Sequence, residues 1–421
     1  MTAGAEKQPE DGSHEKQNVH LDSTKQAAAS PVYTMQAFFD GKMKVEDFAR
    51  SEQERPTVPH DIFDDTLPVV DIAAIKDGTA EERRANVVKM LKAAKSWGFF
   101  KISNHEIPLQ VVLSNLQLIF VTADHACDEA ATFFQKRVES SSKQVKRVKK
   151  NGKQFFALPM ERKLPVRAPD FVFGYTGGSP VNWKSKWWLE ALMIKVTDEA
   201  LDDMIGQVFP DEKDFGVRFK EDLKAFFSPM HELSRFIVEE LTEALGLERD
   251  TFTRLETPGS NCTGRMNHYP VCPNPDSVLG IPPHADTQLL GILHQDDTGG
   301  LQVLKDGEWV GIQPDDSTFV VNIGDTFQAI TNGILRSAAH RAVVNAKKDR
   351  YSTIYFYGID NSITLTVPPK LITEDRPLKY RPFTVREHRK YIVDNEVPIN
   401  AVQHLEINPE ATALFLEKLF G

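Results

Sequence analysis

Pro283-His284-Ala285-Asp286 sets an imidazole and a carboxylate two residues apart. On a β-strand, residues two apart share a face, so both side chains can aim the same way. A second imidazole, His340, follows 54 positions after Asp286 within Ala339-His340-Arg341. Two imidazoles and one carboxylate on one side of a metal leave the other side open. That is the donor set of non-haem Fe(II) centres that activate oxygen. Zinc accepts the same donors and is the main chemical competitor. Taken alone, the spacing also fits ordinary core or surface histidines.

Arg350-Tyr351-Ser352 lies ten positions beyond His340, across the polar stretch Lys347-Lys348-Asp349. Arg350 and Ser352 share a strand face, and a guanidinium fork beside a hydroxyl suits a carboxylate held at both oxygens. Fe(II), the Asp286 carboxylate, a 2-oxo dicarboxylate and Arg350 together sum to zero charge, as a buried cavity requires. If His340 and Arg350 belong to one antiparallel hairpin, both face inward only with an odd-length connection or a bulge. A regular four-residue loop over 346–349 would set them on opposite faces.

These residues need a β-rich scaffold, and the sequence beyond Thr257 supplies one. Short alternating segments at 264–269, 289–294, 301–304, 309–312, 318–323, 340–345 and 351–357 are separated by Gly, Asp and Asn turns, with Lys305-Asp306-Gly307 as a hairpin turn. This predicts a mainly β fold, a double-stranded β-helix or jelly roll flanked by α-helices. Upstream, 67–72 reads as a short buried strand, 81–96 as an amphipathic helix and 97–103 as a strand ending at Asn104. Helical patterning covers most of 108–161 and returns over 215–247. The expected organisation is a disordered polar tail over 1–60, an N-terminal α/β region over 61–215, a jelly-roll catalytic domain over 216–395 and a C-terminal helical extension over 396–421. Lys143 to Lys153, within a basic insertion expected near 135–153, carries six basic residues in eleven and reads as a solvated or disordered loop, with a nuclear address or anion-binding patch as the alternative.

Composition excludes several classes. The 421 residues carry 50 Lys plus Arg against 60 Asp plus Glu, a net charge of -10 that repels nucleic-acid phosphates. Three cysteines (Cys127, Cys262, Cys272) fit a reducing compartment rather than a disulfide scaffold. No apolar run is long enough to span a bilayer, and the first 30 residues lack a secretory pattern. A soluble, cytoplasmic monomer without nucleic-acid or membrane partners is the expectation. Ser/His/Asp triads, phosphate loops and separate acid/base pairs are absent from the sequence pattern. His105, His125 and His231 have no partner pattern, His268 and His294 fall off the ligand strands' phase, and Cys262 and Cys272 lack paired zinc spacing. Phe173, Tyr175, Trp187 and Trp188 read as core, with a hydrophobic substrate pocket as the alternative.

The order of segments Trp97-Gly98-Phe99-Phe100, Asn104-His105, Asn267-His268-Tyr269-Pro270, Cys272-Pro273, His284-Ala285-Asp286, Gly299-Gly300-Leu301-Gln302-Val303, Val321-Asn322-Ile323-Gly324-Asp325, Asn332-Gly333, Ser337-Ala338-Ala339-His340-Arg341 and Arg350-Tyr351-Ser352 resembles the plant-type 2-oxoglutarate/Fe(II)-dependent dioxygenases over about Leu67 to Tyr391. Leu293-His294-Gln295-Asp296, the run 320–327, the run 340–345 and the segment 185–190 are most similar to gibberellin oxidases. The resemblance implies that His284, Asp286 and His340 bind Fe(II). It implies that Arg350 and Ser352 hold the distal carboxylate of 2-oxoglutarate, with Tyr269 assisting and Asn267 facing the site. O2 is then the second cosubstrate and ascorbate the reductant. The implied reaction hydroxylates or oxidises a small hydrophobic plant metabolite, a gibberellin or diterpenoid acid, with release of succinate and CO2. A flavonoid or other specialised metabolite is the alternative substrate. An oxidase of the same family that dispenses with 2-oxoglutarate, a non-catalytic jelly-roll binding protein and a zinc hydrolase are the rival readings. The chain departs from the family in Glu106, where Gly is usual, and in a longer segment between Pro108 and Phe155, an insertion or a gene-model artefact.

Overall fold

Twelve strands with flanking helices make up the computed structural model, which describes residues 33–64, 66–105, 143–167, 173–179, 181, 183–257 and 262–407. The strands are β1 (Val69–Asp71), β2 (Phe99–Ser103), β3 (Gly174–Thr176), β4 (Glu190–Ile194), β5 (Thr263–Tyr269), β6 (Leu279–His284), β7 (Leu290–Gln295), β8 (Leu301–Lys305), β9 (Glu308–Gly311), β10 (Phe319–Ile323), β11 (His340–Val343) and β12 (Arg350–Tyr357). They form an eight-stranded sheet, ordered β1-β2-β10-β7-β12-β5-β4-β3, and a four-stranded sheet, ordered β6-β11-β8-β9. The pairing is antiparallel except for β1 on β2. This is a jelly-roll core with flanking helices.

The period of two along each strand sorts the residues of the large sheet. Val321, Ile323, Ile292, Leu290, Tyr355 and Tyr357 point outward into the larger core. That core is closed by the helix Lys213–Ala244, whose Phe219, Leu223, Phe226, Phe227, Met230, Leu233, Ile237 and Leu241 are buried at helical spacing. The helix Ala80–Ser96 joins it through Met90, Ala93 and Ala94. Its start follows from Thr79 and Glu82: the hydroxyl accepts from the Glu82 N–H, and the carboxylate accepts from the Thr79 N–H. The alternate residues, including Leu293, Val320 and Ile354, face the small sheet. Between β8 and β9, Asp306 and Gly307 both take positive φ (52° and 91°), as a two-residue hairpin turn requires.

Several expectations need correction. His340 and Arg350 are not on one hairpin: β11 pairs with β6 and β8 in the small sheet, whereas β12 pairs with β5 and β7 in the large one. The chain crosses between sheets over 344–349, so the parity of that connection does not decide which way the two side chains face. The expected tail over 1–60 is too long. Tyr33, Met35 and Phe48 are buried, and Thr34–Phe39 is helical, because the apolar residues after Tyr33 cover Trp188. Residues 1–32 lie outside the described residues. No sheet boundary falls at 215, because β1 to β4 extend the large sheet, and Val32–Gly421 forms one compact unit. The basic run is not a loop: residues 143–156 are helical, with Gln144, Val148, Asn151 and Phe155 buried along one face. Gln144 and Asn151 donate to Asp222 of the long helix (2.8 and 3.1 Å), so only the opposite, basic face is left to solvent. The rest of the longer segment, 106–142, lies outside the described residues. Of the C-terminal extension, 396–407 are described and hold one short 3-10 turn, Ala401–Leu405, and 408–421 lie outside the described residues. Among the described residues, no helix is long and apolar enough to cross a membrane.

Candidate metal and cosubstrate site

His284 ends β6 and His340 begins β11, and the two are directly opposed in the ladder of the small sheet. Their rings stand 4.2 Å apart. Asp286 lies two residues past the end of β6, so strand alternation does not place it as the sequence pattern suggested. Its position is fixed by backbone contacts instead. Ala285 N–H donates to Pro398 O (2.8 Å) and Asp325 N–H donates to Asp286 O (2.7 Å). The carboxylate thereby reaches both imidazoles, with Oδ1 3.7 Å from His284 Nε2 and Oδ2 3.6 Å from His340 Nε2. One donor atom from each of the three lies within 4.8 Å of the others.

The second nitrogens set the tautomer. His284 Nδ1 is 2.9 Å from Pro282 O and His340 Nδ1 is 3.3 Å from Ala338 O. A carbonyl only accepts, so each Nδ1 carries the hydrogen and each Nε2 offers its lone pair towards Asp286. Burial first, then the neighbouring His340, push the His284 pKa down, which keeps that imidazole neutral and ready to bind a cation. Asn322 of β10 donates to Asp286 Oδ2 at 2.7 Å and holds the carboxylate's orientation.

Across the interior, β12 supplies Arg350 and Ser352. Arg350 is 2% exposed although it has no carboxylate partner among the described residues. Its Nε donates to Gly299 O and its Nη2 to Gln295 Oε1 at 3.3 Å, and it lies over the Tyr269 ring at 4.7 Å. Its Nη1 is buried with no hydrogen-bond partner. An orphaned cationic donor in an interior is costly unless an anion arrives to accept from it. Ser352 sits opposite Asn267 in the β12–β5 ladder and accepts from its Nδ2 at 3.1 Å. Arg350 sits opposite Tyr269 in the same ladder. The residues thus fit a metal held by three side chains and a dicarboxylate held at its far end by Arg350.

Two residues escaped the sequence reading. Asn322 was visible only as part of a motif. Arg265 was readable from the same strand period that placed Asn267 and Tyr269, since 265, 267 and 269 share a face. Arg265 donates to Asn267 Oδ1 at 2.7 Å and has no ion pair within 4 Å among the described residues. Burial lowers its pKa, against the opposing influence of Tyr269 and Asp286. The residues set aside fall elsewhere. His268 lies on the outer face, between Glu190 Oε2 (3.0 Å) and Asp349 Oδ2 (3.1 Å). His294 is buried against Phe319 on the outer face, and His105 stacks on the same ring. Trp188 and Tyr175 are core residues with hydrogen bonds to Pro270 O and Glu190 Oε1, Trp187 is half-buried, and Phe173 is exposed. His231 and Cys262 do have partners, which are treated below.

A jelly roll with two imidazoles and a carboxylate at one end and a buried arginine at the other defines a class: non-haem iron oxygenases that take an oxo-acid cosubstrate. Comparison with known proteins agrees. The profile of the 2OG-Fe(II) oxygenase superfamily matches residues 260–359, and that of the non-haem dioxygenase in morphine synthesis N-terminal region matches 67–123. Gibberellin 2-beta-dioxygenase 8 of Arabidopsis thaliana is 30% identical over 78% of this chain and 82% of its own length. Gibberellin 20 oxidase 2 of Oryza sativa subsp. indica is 33% identical over 76% of this chain and 73% of its own. Flavanone 3-dioxygenase 2 of Oryza sativa subsp. japonica is 30% identical over 82% and 88%. In fold, the crystal structure of JOX2 in complex with 2OG, Fe and JA superposes with a TM-score of 0.66 at 24% identity, covering 86% of this chain and 94% of that one. This chain belongs to the 2OG-Fe(II) oxygenase superfamily, as a plant-type 2-oxoglutarate-dependent dioxygenase close to the gibberellin oxidases.

Proposed function

We propose that this enzyme hydroxylates or further oxidises a small hydrophobic plant acid, a gibberellin or related diterpenoid acid. His284, Asp286 and His340 hold Fe(II). Arg350 and Ser352 hold the distal carboxylate of 2-oxoglutarate, with Tyr269 stacked under the guanidinium and Asn267 positioning the serine hydroxyl. Fe(II) with 2-oxoglutarate and O2 supplies the oxidising power, releasing succinate and CO2, with ascorbate as reductant. The chain's own part is to orient these groups and to exclude water.

The observation that carries the acid assignment is Arg265. With Fe(II), Asp286, 2-oxoglutarate and Arg350 the interior is neutral. Arg265 adds one positive charge on the same inward face, with no ion pair among the described residues. A substrate monocarboxylate restores neutrality, and a neutral flavanone does not. The gibberellin relatives favour the same choice, while the flavanone relative makes a neutral substrate the second reading.

The test is aerobic incubation with Fe(II), ascorbate, 2-oxoglutarate and a panel of gibberellin acids, their methyl esters and flavanones, following succinate and substrate mass. Succinate should rise with one free acid, matched by a gain of one oxygen, and not with its ester. Arg265→Leu should raise KM for the acid about tenfold or more, the scale of one charge-assisted hydrogen bond. Turnover of a flavanone with all acids inert would overturn the acid assignment.

A further inference from the structure

A second group of metal-ligating side chains lies on the outer face of the large sheet, with the sheet between it and the His284 site. His231 comes from the long helix Lys213–Ala244, Glu256 from the end of the 3-10 turn Thr253–Leu255, and Cys262 from the residue before β5. One donor atom from each lies within 4.8 Å of the others, and all three residues are half-buried. His231 Nε2 is 3.0 Å from Glu256 Oε1.

His231 and Glu256 are also oriented from behind. Tyr355 and Tyr357 both point outward from β12. Tyr355 OH is 2.9 Å from His231 Nδ1, and Tyr357 OH donates to Glu256 Oε2 at 2.8 Å. Fixed outer partners of this kind align metal ligands and raise affinity. Cys262 S–H donates to the carbonyl of Gly358, one residue past the end of β12, at 3.3 Å, a bond the thiolate would give up for the metal.

We propose that His231, Glu256 and Cys262 form a second metal site, for a borderline divalent cation such as zinc. One nitrogen, one oxygen and one sulfur donor exclude magnesium and calcium, which take oxygen ligands. Three protein ligands leave the fourth tetrahedral position to water. The ion ties the long helix to the start of β5, the strand that carries Arg265, Asn267 and Tyr269. Loading the ion displaces the Cys262 S–H proton, because the thiolate is the ligand. The three ligands are 25 and 6 positions apart on separate elements, so no sequence spacing announces them. The proposal is independent of the iron site.

The experiment uses the full chain, stripped with a chelator and titrated with Co(II) and then Zn(II). Wild type should show a thiolate-to-cobalt charge-transfer band, and His340→Ala should keep it. Cys262→Ser should lose it, and Tyr355→Phe should weaken cobalt binding about tenfold. Zinc should bind at two per wild-type chain and one per chain in His340→Ala. If Cys262→Ser fails to fold, Glu256→Gln, which preserves shape, should keep the band with weakened affinity. Absence of the band in wild type, its persistence in Cys262→Ser, or a wild-type stoichiometry of one zinc that falls to none in His340→Ala would each overturn the proposal.

Discussion

Asn322 Nδ2 donates a 2.7 Å hydrogen bond to Asp286 Oδ2, from the large sheet to a carboxylate carried beyond the end of a small-sheet strand. Asp286 belongs to no ladder, so this bond and the Asp325 N–H on its carbonyl are what hold it beside the two imidazoles. Asn322→Ala should therefore lower Fe(II) affinity about 10- to 100-fold, the usual effect of losing an outer partner of a metal ligand. Excess Fe(II) should restore most of the activity. Titration of the stripped protein with Co(II) measures it, and unchanged metal affinity would show that the loop alone holds Asp286.

Gly291 has no side chain to offer a metal or cosubstrate, yet it should share that phenotype. A Cβ at this position would stand 2.6 Å from Asn322 Oδ1. Since β7 and β10 are paired at Asn322↔Gly291, the backbone cannot move away cheaply. Gly291→Ala should push the amide off Asp286 and weaken metal binding about tenfold or more. The double variant Gly291→Ala/Asn322→Ala should bind metal no more weakly than Asn322→Ala alone, because the alanine at 322 removes the clash. A further additive loss in the double variant would rule out this route.

How much of this was legible in the sequence depends on how local each feature is. His284, Asp286, His340 and the Arg350–Ser352 pair stand in short motifs, and the structure gathers the first three within 4.8 Å of one another. The strands of the β-rich half were readable because alternation and turn residues are local signals. What failed was partnership. Sequence-adjacent β11 and β12 belong to opposite sheets, and nothing within 340–357 says so. The helix over 143–156 was readable in principle. Gln144, Val148, Asn151 and Phe155 recur at helical spacing, but the six basic residues masked that stripe. The His231, Glu256 and Cys262 cluster could not be read, because the long helix and the sheet meet only in three dimensions.

If the proposed site is right, a change at Arg350 should act on the cosubstrate and not on the metal. Lysine keeps the charge but loses the fork, so Arg350→Lys cannot satisfy Gly299 O, Gln295 and a carboxylate together. KM for 2-oxoglutarate should rise about tenfold or more, while Co(II) affinity in its absence stays at the wild-type value. If both fall together, Arg350 is supporting the fold and not the cosubstrate.

His105 and His294 flank Phe319 as two buried neutral imidazoles, 4.1 and 5.5 Å from its ring. Burial first holds His294 at about 4, where its Nε2 has no hydrogen-bond partner. Burial, then His294, holds His105 at about 4 as well. In the unfolded chain both titrate near the ordinary histidine value of about 6.5. Below that pH the unfolded state takes up protons that the native state refuses. Stability is therefore full above pH ~6.5 and falls as pH drops towards 4, by up to about 3 kcal/mol for each group. His294→Leu removes one of the two and relieves the other, so its loss of stability on acidification should be smaller. Urea midpoints of metal-free wild type and variant at pH 7.5 and 5.0 measure the difference. Equal losses in the two proteins would mean that His294 charges freely in the native state, against the burial that Phe319 and its neighbours impose.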